Sequence, residues 1–231
     1  MIFNWYMSSI FLGTSGWAYS WNEGNSLEWY IEHTGFNAIE LNMSYYRFPY
    51  PTMIVSWVKK GSKLAWIVKV HRSITHFKKL KKESYQNFER FKKLFSPLEE
   101  SIHYYLLQLP PRFCNIGACE QFIEEFGPEK LALEFRDPTM FSQEMMDWGK
   151  KQGILLVSVD APKLPYKIMS DQIIYERVHG RTGWYQHDYT EQELFEIKKR
   201  ILDYSPTTVY YFFNNDHMFE NARIMNRLLK K

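Results

Sequence analysis

Cysteine is nearly absent. Two residues in 231, Cys114 and Cys119, stand five apart, which excludes a disulfide scaffold and predicts a reduced, cytoplasmic protein. No further ligands accompany them, so a zinc site is not expected there. Long apolar runs are missing too. Nothing approaches the ~20 residues that cross a bilayer, and 1–12 has no basic start and is interrupted by Asn4 and two serines, which argues against a signal peptide. There is no low-complexity segment, no repeat, no H-E-x-x-H, and no G-x-G-x-x-G after the first strand. Charge of one sign is not in excess either. With 29 Lys and Arg against 26 Asp and Glu, the net charge is +3, a balance that neither demands nor excludes a polyanionic partner.

What is abundant is aromatic: 17 Phe, 16 Tyr and 8 Trp in a chain that is 45% hydrophobic, enough for one sizeable core. Alternating apolar segments predict strands over 9–14, 37–42, 64–70, 103–109, 130–136, 154–160, 173–178 and 207–213. Amphipathic segments predict helices over 26–32, 52–60, 84–95, 118–126, 142–152, 190–202 and 217–229. Ser26 and Ser142 stand as N-caps, and Thr190 with Glu193 as a capping box. Residues 161–170 hold two prolines and no helical period, so no helix is expected after the sixth strand. Strands separated by helices imply parallel crossovers. Eight of them in a chain near the usual ~250 residues imply an α/β fold, a (β/α)8 TIM-type barrel forming a single domain.

The strands end in a particular way. The fifth reads Leu131-Ala132-Leu133-Glu134-Phe135-Arg136, placing Glu134 and Arg136 on one face and Leu133 and Phe135 on the other. Taking each strand's last inward position collects Glu40 and Asn42, Lys69, Gln108, Glu134 and Arg136, Asp160, Arg177 and His179, and Asn214. Barrel interiors are filled with branched apolar residues, and chemistry sits at the C-terminal strand ends, so a polar layer there marks a site. Three carboxylates (Glu40, Glu134, Asp160) balance three cations (Lys69, Arg136, Arg177); the bland alternative is a buried ion network without chemistry.

The residues outside that layer suggest ligands. His179-Gly180-Arg181-Thr182-Gly183 follows the seventh strand, where barrels often bind phosphate, so Gly180 and Arg181 are candidate anion ligands. Trp17, Tyr19, Trp21, Tyr45, Tyr46, Trp184 and Tyr185 lie in loops after strands one, two and seven and suit a flat ring. Glu40, Glu134, Asp160 and His179 are conceivable metal ligands, but the cations compete for them, and no cofactor or metal is expected. Lys78, Lys79, Lys81 and Lys82 form a basic stretch that reads as a solvated face, with nucleic acid as the alternative partner.

The motifs Gly13-Thr14-Ser15-Gly16-Trp17, Glu40-Leu41-Asn42, Tyr45-Tyr46-Arg47-Phe48-Pro49 and Ile74-Thr75-His76 resemble those of the YecE-like family, domain-of-unknown-function family 72. So do Gln108-Leu109-Pro110-Pro111, Glu134-Phe135-Arg136, the stretch from Val178 to Tyr185, and Tyr211-Phe212-Phe213-Asn214-Asn215. The resemblance runs from about residue 10 to 229, leaving 1–8 as an extension. It implies a TIM-type barrel and no established activity. Asp137 and Thr139 stand where the family more often has His and Ser, and Glu176 replaces an apolar residue.

The expectation is a small-molecule enzyme whose substrate is polar, anionic and ring-containing. Glu134 or Asp160 would act as acid or base beside Glu40, with His179 as proton shuttle. Lys69 and Arg136 would stabilise negative charge, Lys69 remaining protonated because three carboxylates surround it. Trp17, Asn42, Tyr45, His76, Gln108, Arg177, Trp184, Asn214 and Asn215 would bind substrate. Hydrolase, isomerase and lyase chemistry all fit. The alternatives are a nucleic-acid-processing barrel and a ligand-binding barrel without turnover.

Overall fold

A parallel strand pair needs a crossover between its members, and the chain supplies a helical one after every strand but the sixth. The computed structural model describes residues 9–230; the 1–8 extension lies outside them. The strands are β1 (Ser9–Thr14), β2 (Ala38–Leu41), β3 (Ala65–Lys69), β4 (Ile102–Gln108), β5 (Leu131–Glu134), β6 (Leu155–Asp160), β7 (Ile173–Val178) and β8 (Thr208–Phe213). The helices are α1 (Leu27–His33), α2 (Met43–Tyr46), α3 (Pro51–Gly61), α4 (Tyr85–Phe95), α5 (Ile116–Phe126), α6 (Gln143–Gln152), α7 (Glu191–Leu202) and α8 (Met218–Leu229). All strand pairs are parallel, in the order β1-β8-β7-β6-β5-β4-β3-β2. The helix boundaries follow their caps. Ser26 Oγ accepts from Trp29 N–H, Ser142 Oγ accepts from Met145 N–H, and Thr190 with Glu193 forms the capping box. Residues 161–172 cross from β6 to β7 without a helix, as the prolines predict.

The β1–β2 seam is closed by side chains instead of a backbone ladder. Asn37 Oδ1 accepts from Leu12 N–H at 2.8 Å, and its Nδ2 donates to Ile10 O at 2.8 Å. The Tyr30 hydroxyl accepts from Thr14 N–H at 3.2 Å and donates to Ala38 O at 2.8 Å. Gly13 allows this approach, since a Cβ there would lie 2.1 Å from Ala38 O.

Register fixes which residues enter the lumen. At the N-terminal end, Phe11 stacks on Tyr210 at 4.9 Å, and His103 Nδ1 meets the Tyr210 hydroxyl at 2.8 Å. His103 is the extra residue where β4 slips against β3, since Trp66 pairs with Ile102 and Ile67 with Tyr104. Above this aromatic floor lie Ile67, Leu106, Ala132 and Val157, all buried. The charged side chains Glu40, Lys69, Glu134 and Arg177 enter the lumen toward the C-terminal end. Two short elements had no sequence signal: α2, and a π-helical turn at Ser73–Phe77 that carries His76. Neither has enough length for a period to show. Among the described residues no helix is long and apolar enough to cross a membrane.

Candidate active site

Glu40, Glu134 and Arg177 project into the lumen from β2, β5 and β7, and all three are fully buried. The Arg177 guanidinium lies between the carboxylates. Its Nε donates to Glu40 Oε2 at 2.7 Å, its Nη2 donates to Glu40 Oε1, and its Nη1 donates to Glu134 Oε2 and, at 3.4 Å, to Gln108 Oε1. Ser15 Oγ donates to Glu40 Oε1 at 2.6 Å, and the Tyr175 hydroxyl donates to Oε2. The other Glu134 oxygen accepts from Arg136 Nε. Burial pushes both carboxyls up, but Arg177 beside Glu40, and Arg136 with Arg177 beside Glu134, hold both below the ordinary carboxylate range. Each carboxylate therefore stays ionised with both oxygens engaged by guanidinium groups. That is the geometry of a support, and it removes Glu134 and Glu40 from the expected acid–base role. Ser15 and Tyr175 were missed by reading strand ends. Ser15 lies one residue past β1, and Tyr175 lies two residues below Arg177.

Arg136 extends this support toward solvent. Its Nη2 lies 3.2 Å from Gln108 Oε1 and 3.0 Å from His179 Nε2, and its guanidinium sits 4.7 Å from the Trp184 ring. Since Arg136 donates, Nε2 accepts, and the neutral imidazole carries its proton on Nδ1, with the Asn214 backbone carbonyl as its acceptor. Burial, then Arg136, Arg177 and Lys69, keep His179 well below the usual histidine range. It is a neutral, buried acceptor that orients Arg136, and no shuttle.

Lys69 is the departure from expectation. Among the described residues no carboxylate lies within 4 Å of its Nζ, which instead sits 4.6 Å above the Tyr45 ring. Burial, then Arg177, push it down to about 7 against the pull of Glu134 and Glu40. The expected protonated clamp required a third carboxylate and free carboxylate oxygens, and the mouth has neither. His76 reaches the same rim, its ring 5.1 Å from that of Tyr45 and its Nδ1 2.9 Å from Thr75 Oγ1. Burial, then Lys69 and Arg136, lower it to about 4, so it too is neutral.

The missing third carboxylate is Asp160. Val159 pairs with Arg177 and Asp160 with Val178, so Asp160 faces outward, away from the lumen. Polarity at the strand end suggested the inward face; here it belongs to the outer one, where loop 161–172 and α7 meet β6. Ser158 Oγ accepts from Met169 N–H, and Asp160 accepts from Arg181 Nε at 3.2 Å. Arg181 also approaches Glu193 at 3.5 Å and Glu196 at 3.8 Å, and it donates to the Tyr166 hydroxyl. Gly180 N–H donates to the Tyr189 hydroxyl at 2.9 Å. The anion loop expected at Gly180 and Arg181 is thus committed to the protein's own groups.

Glu176, the departure from the family pattern, joins this outer cluster. It is fully buried, its Oε1 accepts from Arg200 Nη2 at 3.1 Å, and its Oε2 has no partner. Burial raises it to about 8 in spite of Arg200. Unfolded, the carboxyl releases its proton near 4.5. Between these values only the folded state holds the proton, so stability falls as pH rises through that window. Glu176→Gln keeps the acceptor for Arg200 and removes the titration. Thermal melts should show it more stable than wild type at pH 8 by roughly a few kcal/mol, with the difference vanishing near pH 4; an equal difference at both pH values would count against this titration.

The other predicted residues divide. Tyr45, Trp184 and Tyr185 rim the mouth, the last two with ring centroids 5.6 and 5.7 Å from His179. Trp17 packs edge-on against Trp57 and Trp66, and Trp21 stacks on Phe219 at 5.0 Å, so both belong to the layer beneath. Tyr19 donates to Ser15 O at 2.9 Å, and Tyr46 is exposed. Asn42 Nδ2 lies 3.4 Å from Ser15 O while its buried Oδ1 has no partner. Asn215 points away from the mouth, donating to His187 O at 2.6 Å and Asn221 Oδ1 at 2.7 Å. Lys79, Lys81 and Lys82 are exposed on the turn after the π-helical segment. Among the described residues no three His, Cys, Asp or Glu side chains gather to hold a metal ion. A surface cleft lined by Tyr104, Lys130, Asp147, Leu155 and Asp171 opens at the other end of the barrel, where the strands begin and none of these groups reaches.

A family model described as "Protein of unknown function DUF72" matches residues 11–231. Among solved structures, a DUF72 family protein from Thermotoga maritima is 27% identical with a TM-score of 0.81, covering 97% of this chain and 100% of its own. One from Enterococcus faecalis is 21% identical with a TM-score of 0.84, covering 96% of both chains. No curated protein matches the chain.

Proposed function

The chain belongs to the DUF72 family, a membership that brings a barrel and no reaction, so we propose from the barrel mouth itself that the protein is an enzyme acting on a small, anionic, ring-bearing molecule by acid–base chemistry. One observation carries this reading: with Asp160 outside, Arg136 and Arg177 take both remaining carboxylates, Glu40 and Glu134, and Lys69 is left without one. A buried network built for stability alone would pair every charged group; an unpartnered Lys69 beside two guanidinium groups and a rim of aromatic rings favours a ligand that brings negative charge. Arg136 and Lys69 would hold the anion, and Tyr45, Trp184 and Tyr185 would flank the ring. Lys69 and His76 are the groups able to exchange protons there, while Glu40 and Glu134 keep Arg177 in place. Substrate identity decides between hydrolysis, isomerisation and elimination. The unpaired thiols of Cys114 and Cys119 favour a cytoplasmic setting.

Inorganic phosphate or sulfate tests the binding half of this reading. An anion at ~100 times its dissociation constant stabilises by ~2.7 kcal/mol, which for a chain of this size shifts the melting temperature by roughly 5–10 °C. The shift is expected in the wild type, lost in Arg136→Gln and retained in Arg181→Ala, each measured against its own anion-free melt. Absence of any shift in the wild type at tens of millimolar anion removes the basis for an anionic substrate.

A further inference from the structure

The proposed function leaves the chemistry of one side chain open. Lys69 is buried at the C-terminal end of β3 with only 8% of its surface exposed, and its ammonium group lacks the carboxylate that buried lysines ordinarily require. The groups facing it from each surrounding element are Glu40 on β2, Tyr45 on α2, His76 on the π-helical turn, Glu134 and Arg136 at the end of β5, and Arg177 on β7. Both carboxylates turn their oxygens to guanidinium groups. Tyr45 offers only its ring face. His76 is a neutral base. An amine held among fixed cations, out of water and beside a neutral base, is the arrangement that makes a lysine nucleophilic.

We propose that Lys69 forms a Schiff base with a carbonyl compound carrying an anionic group, the anion lying against Arg136. This rests on the anion-binding reading of the mouth and names the substrate class within it. The free amine nitrogen attacks the carbonyl carbon, forming the C–N bond, and the carbonyl oxygen takes up a proton to give a carbinolamine. The C–O bond then breaks and the oxygen departs as water. Its two protons are the two the amine gave up, relayed by His76, so the imine and one water balance the amine and the carbonyl with no change of oxidation state. Glu40 and Glu134 act as positioning residues, because by occupying Arg177 and Arg136 they keep their own charge away from the amine.

The test uses the full chain with glyoxylate or pyruvate as anionic carbonyl probes and acetaldehyde as the neutral one, each reduced with sodium borohydride and mapped by peptide mass spectrometry. With its pKa down to about 7, Lys69 has roughly a thousandfold more free amine at pH 7 than a lysine at ~10.4. Pyruvate and glyoxylate should therefore label Lys69 ahead of the exposed Lys59 and Lys79, with half-maximal labelling near pH 7. Acetaldehyde should label it more slowly, and added phosphate should protect it from the anionic probes. Lys69→Arg, shown folded by its melt, should lose the adduct. Label confined to surface lysines, or Lys69 labelling that rises only near pH 10, overturns the proposal whether or not the variant folds. If phosphate still raises the melting temperature while Lys69 stays unlabelled, the covalent step falls and the anion site stands. If neither is seen, both fall.

Discussion

Arg177→Met should be the most damaging single change in the lumen, lowering stability by about 3–5 kcal/mol at neutral pH and the melting temperature by roughly 10 °C. The side chain is completely buried, and methionine fills much of its volume, so the loss comes from charge. Glu40 would keep only Ser15 and Tyr175, and Glu134 only Arg136. Two ionised carboxylates would then face each other across a buried lumen. Their pKa values in the wild type lie below the ordinary 4.5, so this stabilisation is fully present above that value and is lost as pH falls through the lowered values. The deficit of the variant should therefore narrow in acid, where its carboxylates take up protons. The double variant Glu40→Gln/Arg177→Met should recover part of the loss, because removing both partners avoids the uncompensated charge. A neutral-pH deficit below about 1 kcal/mol would mean that the triad contributes little to the barrel.

The second large effect is expected at the seam. Gly13→Ala places a methyl carbon 2.1 Å from Ala38 O and 2.7 Å from its carbonyl carbon. Neither is the end of a flexible side chain. The backbones of β1 and β2 must part, and the Asn37 and Tyr30 bridges are lost with the contact. Overpacking a core costs ~1–3 kcal/mol where side chains can adjust; here only backbone can, so Gly13→Ala should reach or exceed the upper value. Tyr30→Phe is the milder comparison. It leaves the strands in place and strips the partner from Thr14 N–H and Ala38 O, a loss of about 1–3 kcal/mol. Urea midpoints with unchanged slopes would report both. Gly13→Ala within ~1 kcal/mol of wild type would mean that the seam yields more readily than a packed backbone contact should.

Much of this protein is legible in its sequence because the signals involved are local. Alternation in Leu131–Glu134, the caps Ser26, Ser142 and Thr190, and the prolines of 161–170 each act within a few residues of chain, and together they specify eight strands, their helices and the missing sixth crossover helix. Inward parity was also readable for β2, β3, β4, β5 and β7, where the polar terminus and the lumen lie on the same face. It failed at β6. Whether Asp160 faces in or out depends on register with β7 and on what covers the outer face, and neither is written in the strand. The roles of the lumen residues were equally beyond the sequence. A count of three carboxylates and three cations implies a balanced cluster with a protonated Lys69. Only the folded barrel shows Asp160 and Arg181 withdrawn to the outside, the remaining carboxylates taken by guanidinium groups, and Lys69 left with an aromatic ring for company. Strand identity is set by short-range periodicity, which the sequence determines alone. Protonation is set by the distance and desolvation of charges from β2, β3, β5 and β7, and those are brought together only once the barrel has closed.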